Sequence, residues 1–157
     1  MMTATCKPGD GVILPRNCHQ SLINACAIVG TIPIFITPVT TTTTAHVQSQ
    51  EPADDLFGLS HGIEVDSLSA CISQVKSSSL HVGLVVLVSP TYFGATTDVA
   101  AAALICHKHG IPLGVDAAHG AHFRFSKALP QCALEAGADI VVESTHKTLS
   151  AMTQVKS

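Results

Sequence analysis

Apolar positions along this chain come in blocks separated by polar, helix-spaced stretches. Gly11–Pro15 is a short apolar run that predicts a strand, and the β-branched Ile32–Ile36 predicts a second. Between them the spacing predicts a helix through Ala25 to Val29, with Asn17 placed to cap it and Gly30 to close it. Thr40–Ala45, five threonines and an alanine, opens a polar stretch that continues to Gly62. That composition predicts an exposed low-complexity loop over residues 37–62. Val65 to Val75 has helical spacing, with Leu68 and Ile72 on one face. Val82–Val88 is almost continuously apolar, as in a strand buried on both faces. Thr97 or Asp98 can cap a helix over Val99 to His109, which Gly110 ends. Pro112–Val115 predicts a strand closing on Asp116, Lys127 to Ala136 a helix stopped by Gly137, and Ile140–Val142 a last strand.

Strands separated by helices of this length imply right-handed crossovers and a parallel sheet. The expected fold class is therefore α/β, a mostly parallel sheet with helices on both faces. In such sheets ligands bind beyond the carboxyl ends of the strands. That rule selects Arg16–His19, Ser89–Gly94, Asp116–His122 and Ser144–Lys147, where most of the chemically capable side chains lie.

Composition narrows the partners. Hydrophobic residues make up 46% of the 157 residues and charged residues 12%, which suits a buried sheet. A net charge of -3 without a basic tract argues against nucleic acid. The longest apolar run, Val82 to Val88, is too short to cross a bilayer, and residues Met1 to Asp10 carry no signal-peptide pattern. No membrane partner is expected. The six cysteines form no C-x-x-C pair and read as buried thiols in a reducing compartment, so a cytoplasmic location is expected.

Lys147 follows an apolar strand beside two hydroxyls and a histidine. A lysine in such a pocket can lose its proton and attack a carbonyl, although an ordinary surface lysine is also consistent with the pattern. Asp116 ends a buried strand and needs a partner there. A protonated pyridine nitrogen would serve, and so would backbone N–H groups of its own turn. Ser89-Pro90-Thr91-Tyr92 offers hydroxyls or a simple turn. The pairs His119/His122 and His107/His109 suggest zinc, but no further ligands stand at a recognised spacing, so no metal is expected. G-x-G-x-x-G and Walker motifs are absent.

Two stretches are more specific. V-D-A-A-H-G-A-H-F (Val115 to Phe123), followed by G-A-D-I-V-V-E-S-T-H-K-T-L (Gly137 to Leu149), resembles the ornithine/lysine/arginine decarboxylase family of fold-type-I pyridoxal-phosphate enzymes. P-R-N-C-H-Q-S (Pro15 to Ser21) and S-P-T-Y-F-G (Ser89 to Gly94) resemble two further blocks of that family, in the family's order. The resemblance covers roughly residues 8 to 155.

The resemblance implies a cofactor, pyridoxal 5'-phosphate, and roles at matching positions. Lys147 would be the Schiff-base lysine, Asp116 the partner of the pyridinium nitrogen, and His19 a ring stacked on the cofactor. Ala118 would pack beneath that ring and His119 close to it, and Ser144 and His146 would lie near the phosphate. The implied activity is decarboxylation of a small basic amino acid: ornithine, lysine or arginine. A homo-oligomer is implied for the full-length protein. The family's Ser/Thr phosphate-binding turn, expected upstream of His19, is not found, and only ten residues follow Lys147. Residues 1–157 are therefore expected to be a partial large domain whose own activity is open. Two alternatives remain: another fold-type-I enzyme, either an aminotransferase or an acyl-transferring synthase, and a non-catalytic homologue that binds and regulates a full-length decarboxylase.

Overall fold

The computed structural model describes residues 1–40 and 60–152. Within them β1 (Gly11–Pro15), β2 (Ile32–Ile36), β3 (Val82–Val88), β4 (Leu113–Asp116) and β5 (Ile140–Val142) form one sheet, in the order β2-β1-β3-β4-β5. Every neighbouring pair is parallel. The central strands are apolar without alternation because both faces are covered. Leu84, Val85, Val86 and Leu87 of β3 are each 0% exposed. Replacing one such leucine by alanine costs about 2–5 kcal/mol in a well-packed core.

Strand parity divides that burial between two layers. Ile13, Val85 and Leu87 pack with Leu68 and Ile72 of α3 (Val65–Ser77) and with Ala102 and Cys106 of α4 (Val99–Lys108). Val12, Leu14, Leu84 and Val86 face the other way, onto Met2 of α1 (Met2–Thr5) and Cys26 of α2 (Gln20–Val29). The sheet thus carries helices on both faces, as the pattern of the chain predicts. Cβ-free Gly114 lies where an added Cβ would come within 2.8 Å of Met1 Sδ, so β4 lets the N-terminal segment approach closely.

Two local expectations need correction. The α2 cap is His19, whose Nδ1 accepts from Ser21 N–H at 3.2 Å, while Asn17 instead donates from Nδ2 to Ser60 Oγ at 2.8 Å. Lys127 to Ala136 is not a helix. Pro130 falls in that stretch, supplies no N–H, and disfavours helical backbone at Leu129. Ser126 Oγ instead accepts from Ala128 N–H, and a single turn at Cys132–Gly137 closes with Ala138 N–H on Ala133 O. β5 is an edge strand, with Val142 40% exposed. Ile32 and Phe35 on the opposite edge strand, β2, are likewise exposed.

Most of the expected loop 37–62, including the threonine run, lies outside the described residues. Its two ends are paired, with His61 N–H on Val39 O at 2.7 Å and a bridge from Thr40 to Ser60. Among the described residues, no helix is long and apolar enough to cross a membrane.

Candidate active site

In the strand order β2-β1-β3-β4-β5 the connections leave in opposite directions from β1 and β3, a switch point that opens a crevice at the carboxyl edge. A cavity of about 400 Å³ lies there. Asn17, His19 and Ser21 reach it from beyond β1, and Val88, Pro90 and Tyr92 from the end of β3. Asp116, Ala118 and His119 come from β4 and its following turn. Val142, Ser144, His146 and Lys147 come from β5 and the one-turn helix α5 (Thr145–Thr148). Every residue to which the family resemblance gives a role, Lys147, Asp116, His19, Ala118, His119, Ser144 and His146, borders this one cavity.

Lys147 is exposed, and its Nζ lies 3.3 Å from His119 Nε2. Burial, reinforced by the Lys147 charge and opposed by Asp116, holds the His119 imidazole below its ordinary pKa of 6.5. The Tyr92 ring meets His119 edge to face, with centroids 5.6 Å apart and planes at 81°. Asp116 is half-buried, and its Oδ1 accepts from Ala118 N–H at 3.1 Å, so the local-turn expectation holds for that oxygen. Oδ2 takes no hydrogen bond from any described residue.

Ser144 is buried at the N-cap of α5, where its side chain makes no cap bond. His146 Nδ1 is buried without a hydrogen-bond partner among the described residues. His19 is exposed and is held by two contacts to Ser21 through Nδ1.

Other residues in the selected segments build the site's frame. Thr91 Oγ1 accepts from Ala95 N–H, and Ser89 Oγ accepts from Thr97 N–H, so both hydroxyls fold the loop after β3. His122 packs its ring on Phe123 and does not border the cavity. Among the described residues, no group of three His, Cys, Asp or Glu is placed to hold a metal ion. All six cysteines are free. Burial pushes the thiols of Cys6, Cys18 and Cys71 up, and that of Cys106 to about 12, which disfavours the reactive thiolate.

Sequence reasoning did not assign Ser21, Val88 or Val142 to the cavity. Ser21 lies two residues after His19, and the apolar pair are the last residues of their strands; position at a strand's carboxyl end is the signal that finds the pair.

Fold and site together define an α/β protein with its reactive groups at the carboxyl edge of a parallel sheet. The chain belongs to the Orn/Lys/Arg decarboxylase family: that family's major domain matches residues 1–157. It is similar to an arginine decarboxylase of Bacillus subtilis (strain 168), with 37% identity over 154 residues, covering 98% of this chain and 28% of the relative. An arginine decarboxylase of Bacillus anthracis is 35% identical over the same shares of the two chains. The chain thus spans about 28% of the length of these curated relatives. Among solved structures, mouse CSAD aligns with a TM-score of 0.74 at 21% identity, over 95% of this chain and 28% of that one. A sphingosine-1-phosphate lyase of Burkholderia pseudomallei K96243 aligns with a TM-score of 0.63 at 14% identity, over 92% of this chain and 29% of that one. The architecture is that of the fold-type-I large domain.

Proposed function

We propose that this chain carries the pyridoxal-phosphate site of a decarboxylase acting on a basic amino acid, with arginine as its substrate. The observation that carries the reading is the convergence of Lys147, Asp116, His19, Ala118, His119, Ser144 and His146 on one cavity from four separate segments. The family supports decarboxylation, and the names of relatives 34% and 37% identical support arginine.

The residues present fit the cofactor. A cavity of about 400 Å³ is of the size that small ligands occupy. Asp116 Oδ2 is an uncommitted acceptor, and His146 Nδ1 is a buried polar atom without a partner among the described residues. A buried atom of the second kind is costly unless something pairs with it. When bound, pyridoxal phosphate supplies an electron sink for the electrons of the broken Cα–carboxylate bond.

The protein's part is binding and charge. Lys147 presents the amine for carbonyl attack. Asp116, its Oδ1 fixed by Ala118 N–H, offers Oδ2 to a pyridinium nitrogen and favours its protonated form. His19 offers a flat ring for stacking, and Ala118 a small contact that leaves room. Ser144 and His146 offer polar groups to the phosphate.

The reading extends to the whole protein as a cytoplasmic homo-oligomer. Six free thiols support the compartment, and exposed Ile32, Phe35 and Val142 on the two edge strands support association.

The test is chemical. Pyridoxal phosphate is added, the chain is reduced with borohydride, and the label is mapped by peptide. The label should sit on Lys147 and be lost in Lys147→Ala but not in Lys127→Ala. Label spread evenly over all six lysines would refute the assignment.

A further inference from the structure

We infer that His119 is a positioning residue for Lys147: its Nε2 accepts an N–H from the Lys147 amine and holds that amine at the cavity, the ring proton residing on Nδ1. This deepens the proposed function and rests on Lys147 being the carbonyl-reactive lysine.

The geometry supplies the argument. Lys147 projects from a helix of one turn, is exposed, and forms no ion pair with a carboxylate among the described residues. A flexible four-carbon stem in that setting samples many rotamers. Its short polar side-chain contact is with His119 Nε2 at 3.3 Å.

His119, in contrast, is built in. Its turn is closed by Gly120 N–H on Ala117 O at 2.8 Å. The turn is also seated against the loop after β3, since a Cβ on Gly120 would meet Pro90 Cδ at 2.8 Å. Tyr92, from that same loop, lies edge to face against the imidazole. The imidazole, seated by its turn and by Tyr92, is thus the group placed to hold the Lys147 amine.

Tautomer choice follows from donor arithmetic. An ammonium offers only N–H donors, so Nε2 must present its lone pair, and the proton of the neutral ring moves to Nδ1. The charged groups acting on His119 are Lys147 and Asp116. Burial and the Lys147 charge outweigh Asp116 and keep the ring an acceptor at neutral pH. On acidification the ring gains its second proton, loses the lone pair and meets Lys147 as a like charge.

Two measurements on the 157-residue chain test this. The first is ¹⁵N NMR of labelled histidines, without cofactor. The Nδ1–H tautomer of His119 is expected above the ring's pKa, and a protonated Nε2 there would overturn the inference whatever the fate of the functional reading. The second is the rate at which pyridoxal phosphate is fixed to Lys147 by borohydride, as a ratio to Lys127. That ratio should drop about tenfold in His119→Leu, the order expected for losing one charge-assisted hydrogen bond. In His119→Gln, whose amide oxygen can take the same N–H, it should recover. It should also fall with the titration of His119 in the parent chain and lose that inflection in His119→Gln. A ratio unchanged in His119→Leu overturns the inference, whereas a parent chain with no preference for Lys147 overturns the proposed function instead.

Discussion

At the amino edge of the sheet, carboxylates are consumed by the fold. Asp139 Oδ2 accepts from Leu113 N–H at 2.7 Å and pairs with His107 Nε2 at 2.9 Å. Asp10 divides its oxygens between Lys7 N–H at 2.7 Å and His81 Nδ1 at 3.0 Å. At the carboxyl edge, Asp116 commits one oxygen to Ala118 N–H and leaves the other without a partner among the described residues. The residue types are the same at both edges. What differs is whether the carboxylate's hydrogen-bonding capacity is closed within the chain or held open toward a cavity. A polar group whose partners are all local contributes to stability; one left open in a crevice adds nothing there and is available to a ligand.

This contrast predicts opposite responses to substitution. The largest effect belongs to Lys147→Ala, which should eliminate the borohydride-fixed adduct at that position while moving the urea midpoint by no more than about 0.5 kcal/mol equivalent. Asp116→Asn should weaken retention of pyridoxal phosphate at least about tenfold, read by equilibrium dialysis, because a neutral amide no longer favours a protonated ring nitrogen. Its stability should stay close to the parent's. A large loss of stability in Asp116→Asn would break the comparison, since it would make the open edge structural.

At the other edge, Asp139→Ala should cost about 1–2 kcal/mol in urea unfolding, because the N–H of buried Leu113 loses its acceptor. Asp139→Asn retains a carbonyl oxygen and should lose less, and neither change should alter the fixing of cofactor at Lys147.

The smallest effect is in acid. For Asp10 the hydrogen bonds from Lys7 N–H and then His81 set its pKa below the ordinary 3.8. For Asp139 burial pushes upward, but the bonds from Leu113 N–H and His107 outweigh it, and its pKa also lies below 3.8. A depressed carboxylate pKa contributes stability that is fully present above the unfolded value and is lost as pH falls through the folded one. Urea midpoints should therefore carry the full contribution of these carboxylates, with no pH dependence from them, between neutral pH and about 5, and show a decline below 3.8 that Asp139→Asn diminishes.

The chain's pattern made the frame of the molecule readable because both-face burial and strand-end chemistry are local signals. The run Val82–Val88 could be nothing but interior, and the segments after each strand carried the reactive types. Other features depended on competition or distance. At Lys127 to Ala136 helix-favouring residues lost to Pro130. At the start of α2 the expected cap, Asn17, donates instead to Ser60, 43 residues away, and His19 is the cap. The pairing of His119 with Lys147 spans 28 residues and exists only because β4 and β5 lie side by side. His107 suits a helix C-terminus by the dipole alone, yet its partner Asp139 is 32 residues away.

The close approach of the N-terminal segment to Gly114 has a spectroscopic consequence. Met1 and Met2 border a hollow of about 260 Å³ on the α1/α2 face that also includes Asp116 and Val142, two residues of the main cavity's wall. The chain has three methionines, and the third, Met152, is 84% exposed. A sample carrying ¹³C only in its methionine methyls thus contains its own reporter and its own reference. Filling the cavity above Asp116 should shift the Met1 resonance through the shared wall, while that of Met152 stays still.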